Sequence, residues 1–394
     1  MWMKFHGKVL FMVLIAVVLS AAGCATAPKA KEETVFYPPP PELPRYQFLV
    51  SFKGAEDIEG GMSAFDSFIT GEKGDRRKLV KPYGIAMHEG KIYVCDTGGA
   101  VIVFDLEKKT YGQLKGAQGQ GKLVQPINIS IDKEGNKYVT DTLRKVVVIF
   151  DRNDEYVRTL GIKEKWNPVD AVRYEDRIYI SDPDNSEIKV FDSSSGDLIK
   201  KFGSGSLDRP LNLAFDERGY LFVSDLGRFQ VLKFDRDGHL LQTIGKLGMN
   251  YGHFSRPRGV AVDRSGKLYV VDASFYNVQV FRENGQLLTF FGGGGAMPGS
   301  LTLPAKVSLN YDNKKYFEQY LSPNFEMEYL VLVTSQFGER MVSVYAFGKE
   351  KGKQYPTDAQ LDEELKENLL KNAQKEFKRN VRPEGAADEG PPSK

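Results

Sequence analysis

Beyond residue 80 the apolar positions of this chain fall into short runs of four to seven residues, rich in Val, Ile, Tyr and Phe and cut off by Asp, Gly or Asn. β-branched and aromatic runs bounded by turn residues predict β-strands. The runs are nearly continuous and do not alternate strictly, which predicts strands covered on both faces.

The runs repeat. Pro82, Pro126, Pro168, Pro210, Pro257 and Pro304 each open a similar segment, at spacings of 44, 42, 42, 47 and 47 residues. The fifth copy is the cleanest: Pro257-Arg258-Gly259-Val260-Ala261-Val262-Asp263, a turn through Gly266, Leu268 to Asp272, Val278 to Phe281, a turn at Asn284-Gly285, and Leu287 to Gly292. An aromatic ends the third run of every copy, as Phe104, Phe150, Phe191, Phe234, Phe281 and Phe347. Four strands per unit and a period in the forties describe one blade of a propeller. The predicted fold is all-β: a six-bladed β-propeller of four-stranded blades over residues 46–348. The sixth copy has no fourth run, whereas 47–54 (QFLVSFKG) looks like one. The ring is therefore expected to be closed by this N-terminal strand.

The motifs Pro-x-Gly-(Ile/Val)-Ala-(Val/Met), (Ile/Leu)-Tyr-Val-x-Asp and (Ile/Val)-x-Val-Phe resemble NHL repeats, and the chain as a whole resembles bacterial NHL-repeat lipoproteins. That resemblance covers about 300 residues and implies a propeller; it does not single out a function, since such folds host many. The sixth copy departs from it, with Val333-Thr334-Ser335 in place of the second-run Asp and an insertion near 312–327. Packing beneath the ring is the expected role of the insertion's aromatics.

The flanks carry the address. Lys4 and Lys8 precede an apolar run of 11 residues, 9–19, short of the roughly 20 that a spanning helix needs. Small residues lead into Cys24. This reads as a signal peptide over 1–23 and resembles a lipobox, implying a diacylglyceryl anchor on Cys24 in a bacterial cell envelope, at the outer membrane. Residues 24–45 hold a Pro38–Pro41 run and read as an extended tether. At the other end, Thr357 and Gln360 read as a capping box. Leu361, Leu365, Leu369, Leu370, Ala373 and Phe377 share one helical face, predicting a C-terminal helical extension over 349–382. A disordered tail is expected over 383–394.

Net charge is only +2, which argues against a nucleic-acid partner. Between-blade loops and the turns joining runs two and three share one rim, the top, and sum to about +5; the opposite turns sum to about −6. A basic rim suits an anionic partner. Two places after each proline stand Gly84, Asn128, Asp170, Asn212, Gly259 and Lys306, expected at the top mouth of the channel with Tyr83, Trp166, His253 and Arg258 nearby. Mixed donors and acceptors beside aromatics suit a protein, peptide or glycan.

Catalytic chemistry finds little support. Asp96, Asp141, Asp182, Asp225 and Asp272 recur once per copy and are expected to cap turns. Residues 116–122 mimic a phosphate-binding loop, but Leu123 stands where Ser or Thr must hold Mg²⁺. His88, His239 and His253 fall on different blades or rims. Buried Cys95 is expected to be a small apolar filler. No cofactor is predicted, although carbonyls and carboxylates, Asp170 among them, are compatible with calcium. The leading expectation is a non-catalytic, lipid-anchored envelope scaffold that binds through its top face. The alternative is a metal-assisted lyase or lactonase acting at the channel mouth.

Overall fold

The computed structural model of the protein describes residues 34–60, 77–161 and 164–357, with 360, 363 and 371. Six antiparallel sheets form the six blades: five have four strands and one has five. The innermost strands are Pro82–His88, Pro126–Ile131, Ala171–Tyr174, Pro210–Phe215, Pro257–Val262 and Pro304–Asn310. In blade 3 the strand begins three residues after its proline. Each inner strand descends from the top rim, the second rises, the third descends and the fourth rises into the loop to the next blade.

Each hydrophobic cluster is shared by two neighbouring blades. Tyr93, Cys95 and Val101 of blade 1, for example, pack with Ile129, Val139, Val148 and Phe150 of blade 2. This explains the unbroken apolar runs: a blade buries both faces only between neighbours. The aromatic ending each third strand is buried in all six copies.

The recurring aspartates tie the top rim together. Asp225 accepts the N–H groups of Asp208 (2.7 Å), Arg209 (2.9 Å), Gly227 (2.9 Å) and Arg228 (3.0 Å). It thus fastens its own turn to the loop entering the blade. Asp96, Asp141 and Asp272 do the same. Asp182 divides itself between Asn167 N–H, Asn185 and Lys189. In blade 6 Ser335 takes the place, accepting Thr302 N–H at 3.1 Å. Asp225→Ala strands four N–H groups and is expected to lose about 1–3 kcal/mol. Asp225→Asn, which keeps one acceptor oxygen, should lose less. Urea unfolding curves of the two variants check the order.

Blade 6 is closed as expected. Strand Tyr46–Phe52 pairs antiparallel with Val342–Glu350, Tyr46 facing Phe347 and Phe52 facing Val342. A chain of phenols adds a polar seam: Tyr46 donates to Tyr269 (2.9 Å), Tyr269 and Tyr329 bond at 2.6 Å, and Tyr329 donates to Asp263 (2.9 Å).

The tether expectation needs correction at its C-terminal half. Phe36–Tyr37 is a fifth strand on blade 6, pairing with Gln47 and Tyr46, and the Tyr37 hydroxyl donates to Gly299 O. Apolar Val35, Phe36 and Tyr37 have a core to join, so the proline run that follows them is a bend in the folded part.

The insertion of blade 6 packs, as expected, and does so across the closing seam. Phe317 and Phe325 are buried with blade 1 residues. Asn313 accepts Gly90 N–H at 2.7 Å, and Asn310 donates to Met87 O at 3.0 Å. The capping box is formed: Thr357 N–H meets Gln360 Oε1 at 2.8 Å, and Gln360 N–H meets Thr357 Oγ at 3.3 Å. The apolar stripe of that helix, like the signal peptide, Cys24 and the tail, lies outside the described residues. Among the described residues no helix is long and apolar enough to cross a membrane.

Candidate functional site

The residues two places after the prolines converge on the ring axis, but they fill it where an open mouth was expected. Asn128, Asp170 and Asn212 are fully buried and Lys306 nearly so. Lys306 Nζ of blade 6 reaches Asp170 Oδ2 of the opposite blade 3 at 2.7 Å. Asp170 also accepts Ala171 N–H and Leu213 N–H, both at 2.9 Å. Asn128 donates to Asn212 Oδ1 at 2.9 Å, and Asn212 donates to the Tyr83 hydroxyl of opposite blade 1 at 3.4 Å. Polar side chains removed from water must find partners, and here they find them across the axis.

Gly84 and Gly259 make room for this layer. A Cβ on Gly84 would lie 2.5 Å from Asn128 Cα, and one on Gly259 would lie 2.6 Å from Lys306 Cα. With glycine at those places, the preceding residues, Tyr83 and Arg258, supply the side chains that reach inward.

A supporting row escapes the spacing argument. The residue before each second-strand Asp, or before Ser335 in blade 6, is Cys95, Thr140, Ser181, Ser224, Val271 or Thr334. Ser181, Ser224 and Thr334 accept the N–H of Asp170, Asn212 and Lys306 at 3.0, 3.0 and 3.1 Å. Thr140 and Ser181 also donate to the next blade, at Val169 O just before its inner strand (2.8 Å) and at Leu211 O within its inner strand (2.6 Å). Hydroxyls thus back the four polar axial residues, while Cys95 and Val271 back the two glycines. That covariation between rows is the sequence signal that identifies the layer. Burial pushes the Cys95 thiol well above its ordinary value, in keeping with a filler.

Two candidates do not join the axis. Trp166 is wedged between blades 2 and 3 against Phe191, its Nε1 donating to Lys145 O at 2.7 Å. His253 sits half-buried in the loop before blade 5, with local bonds to Asn250 and Gln279.

Arg258 is different. It lies half-buried at the top, its guanidinium carbon 5.8 Å from the Tyr83 ring centre, and Nη1 donates to Gln336 Oε1 at 2.9 Å. Burial, then nearby Arg256, lowers its pKa from the ordinary guanidinium value; burial raises that of Tyr83. Gln336 and its neighbour Phe337 were not foreseen, because blade 6 lacks the repeat signature there.

The rim around this point is apolar and basic. Val80, Leu143, Met249, Met297 and Phe337 are exposed by 67, 66, 80, 63 and 48 %, all on top loops. Lys81 Nζ stands 5.7 Å from the Phe337 ring centre, and Lys81, Arg209, Arg228 and Arg256 are exposed. Among the described residues no group of three or more His, Cys, Asp or Glu is placed to hold a metal ion.

Residues 254–282 match the NHL repeat family model, so this chain carries an NHL repeat within a six-bladed propeller. Part of it is 26% identical over 134 residues to the Drosophila melanogaster protein brain tumor; the match takes in 32% of this chain and 13% of that protein. Among solved structures, a gluconolactonase from Xanthomonas campestris superposes with a TM-score of 0.51 at 17% identity, covering 68% of this chain and 86% of its own. A Bacteroides thetaiotaomicron protein of unknown function gives 0.53 at 15% identity, covering 69% and 70%. At such identities the likeness is one of fold.

Proposed function

We propose that this protein is a lipid-anchored binding scaffold of a bacterial envelope, held by a diacylglyceryl group on Cys24, whose top rim docks a segment of a protein partner. The observation that carries this reading is the exposure of Val80, Leu143, Met249, Met297 and Phe337 among top-rim lysines and arginines. Large exposed apolar side chains edged by charge mark interaction surfaces. The filled axis supports it too: among the described residues the top rim has its centre plugged by buried side chains, which suits a chain segment laid across it better than a small molecule enclosed. A rigid closed ring also holds its loops in place before binding, so little is lost in ordering them. The lyase or lactonase alternative draws on likeness of fold alone.

Photo-crosslinking residues placed at Val80, Leu143 and Phe337 of the full chain in intact envelopes test the reading, with Tyr320 on the lower rim as reference. Discrete protein adducts are expected from the three top positions and not from Tyr320. Equal adduct patterns from both rims, or none from the top, refute it. Cys24→Ser should move the chain from the membrane fraction to the soluble fraction; retention at the membrane refutes the anchor.

A further inference from the structure

Four cations withdrawn from water in this ring are matched by carboxylates. Lys306 has Asp170, Lys137 has Asp154 at 2.7 Å, Lys189 has Asp182 at 3.1 Å, and Arg173 has Asp132 at 2.8 Å. Arg258 breaks the pattern. Its bond goes to the neutral Gln336, its closest aromatic is Tyr83, and among the described residues no carboxylate oxygen lies within ion-pair distance of it. Asp272 favours the charge from beyond contact distance, but a partly desolvated cation without a directly paired carboxylate is a costly arrangement, and a guanidinium has five N–H donors in a fork that fits a carboxylate.

The surroundings narrow the choice of anion. Arg256 adds a second positive charge on the same strand entry, and Lys81 of blade 1 a third beside Phe337. Phe337, next to Gln336, and Val80, next to Lys81, add exposed apolar surface on the same rim. A polynucleotide is held by many phosphate contacts along an extended basic track; three cations beside two apolar side chains suit a single acidic group on an otherwise apolar segment.

We propose that Arg258 is the carboxylate-binding residue of the top rim, recognising an Asp, Glu or C-terminal carboxylate of the docked segment. This rests on the top-rim reading above. Gln336 holds the guanidinium while it waits, and Tyr83 supports it from below.

The test uses the full chain in detergent and a random octapeptide library. Selected binders are then resynthesised as twins: acidic side chain against its amide, and free C-terminus against amidated. Carboxylate forms should bind about tenfold to a hundredfold tighter than amide twins, and the two series distinguish a side-chain from a terminal carboxylate. The preference should vanish in Arg258→Gln and survive in part in Arg258→Lys, which keeps the charge without the fork. Gln336→Glu supplies an internal carboxylate to an intact Arg258; it should block acidic peptides while the unfolding midpoint holds, which guards against a misfolded Arg258 variant. Twins that bind alike at the top rim overturn the carboxylate assignment and leave the top-rim reading standing. Binders that crosslink only to the lower rim or outer strands, or a library that yields none, overturn the top-rim reading itself. Displacement by single-stranded RNA with steep salt dependence also overturns the assignment, marking a phosphate site instead.

Discussion

A chain beginning at residue 54, without the closing strand Tyr46–Phe52, is expected to lose cooperative folding. Removing 35–53 strips blade 6 of its outer strand and leaves the hydrogen-bonding edge of Val342–Glu350 bare. It also takes Leu49 and Phe52 from the core against blade 1, and Tyr46 and Phe48 from the core against blade 5. Phe52 alone sits 5.6 Å, ring to ring, from Phe104, and truncating a buried phenylalanine typically costs about 3–5 kcal/mol. Several such losses together exceed much of the roughly 5–15 kcal/mol that holds a domain folded. Far-UV circular dichroism through a urea titration should show a broad, shallow transition. Adding a synthetic peptide of residues 35–53 should restore a sharp one, because the missing strand can pair from outside. A sharp transition in the truncated chain alone would mean that the ring closes by blade packing without the strand.

The second large effect is expected at the axis. Asp170→Ala leaves the Lys306 ammonium buried without its partner, together with the N–H groups of Ala171 and Leu213. Breaking one side of a buried ion pair typically costs about 3–5 kcal/mol. Adding Lys306→Met should recover a substantial part, since the uncompensated charge then disappears. A double-mutant cycle in urea reads the coupling. Strict additivity would show that the two side chains do not depend on one another in the folded ring.

The ring and its closure were legible because they rest on local signals. Proline entries, turn aspartates and β-branched runs recur in every copy, and the orphan fourth run at 47–54 had one vacancy to fill. The axial positions were legible as a row, but their burial was not. Periodicity assigns Asn128, Asp170, Asn212 and Lys306 to a rim; how closely opposed blades approach depends on tilt and packing, which no single copy encodes. The hydroxyl row at Thr140, Ser181, Ser224 and Thr334 carried that information and becomes readable only when compared between copies.

Trp166 misled for a different reason. Its loop turns in between two blades, with Gly161 leaving space for the indole, so a residue close in sequence to Asp170 points away from the axis. Residues 35–37 were hidden by the prolines beside them: a two-residue strand has too little pattern of its own. Arg258 stood out as a basic residue, but its lack of a direct carboxylate partner among the described residues appears only once every neighbour is in place.

Among the described residues, the buried layer of Asn128, Asp170, Asn212 and Lys306 plugs the ring axis. Nothing bound above can thread through to the underside, where the 316–321 insertion spans the join between the last blade and the first. The two faces of the ring are therefore separate surfaces, and a ligand of one has no passage along the axis by which to compete with a ligand of the other.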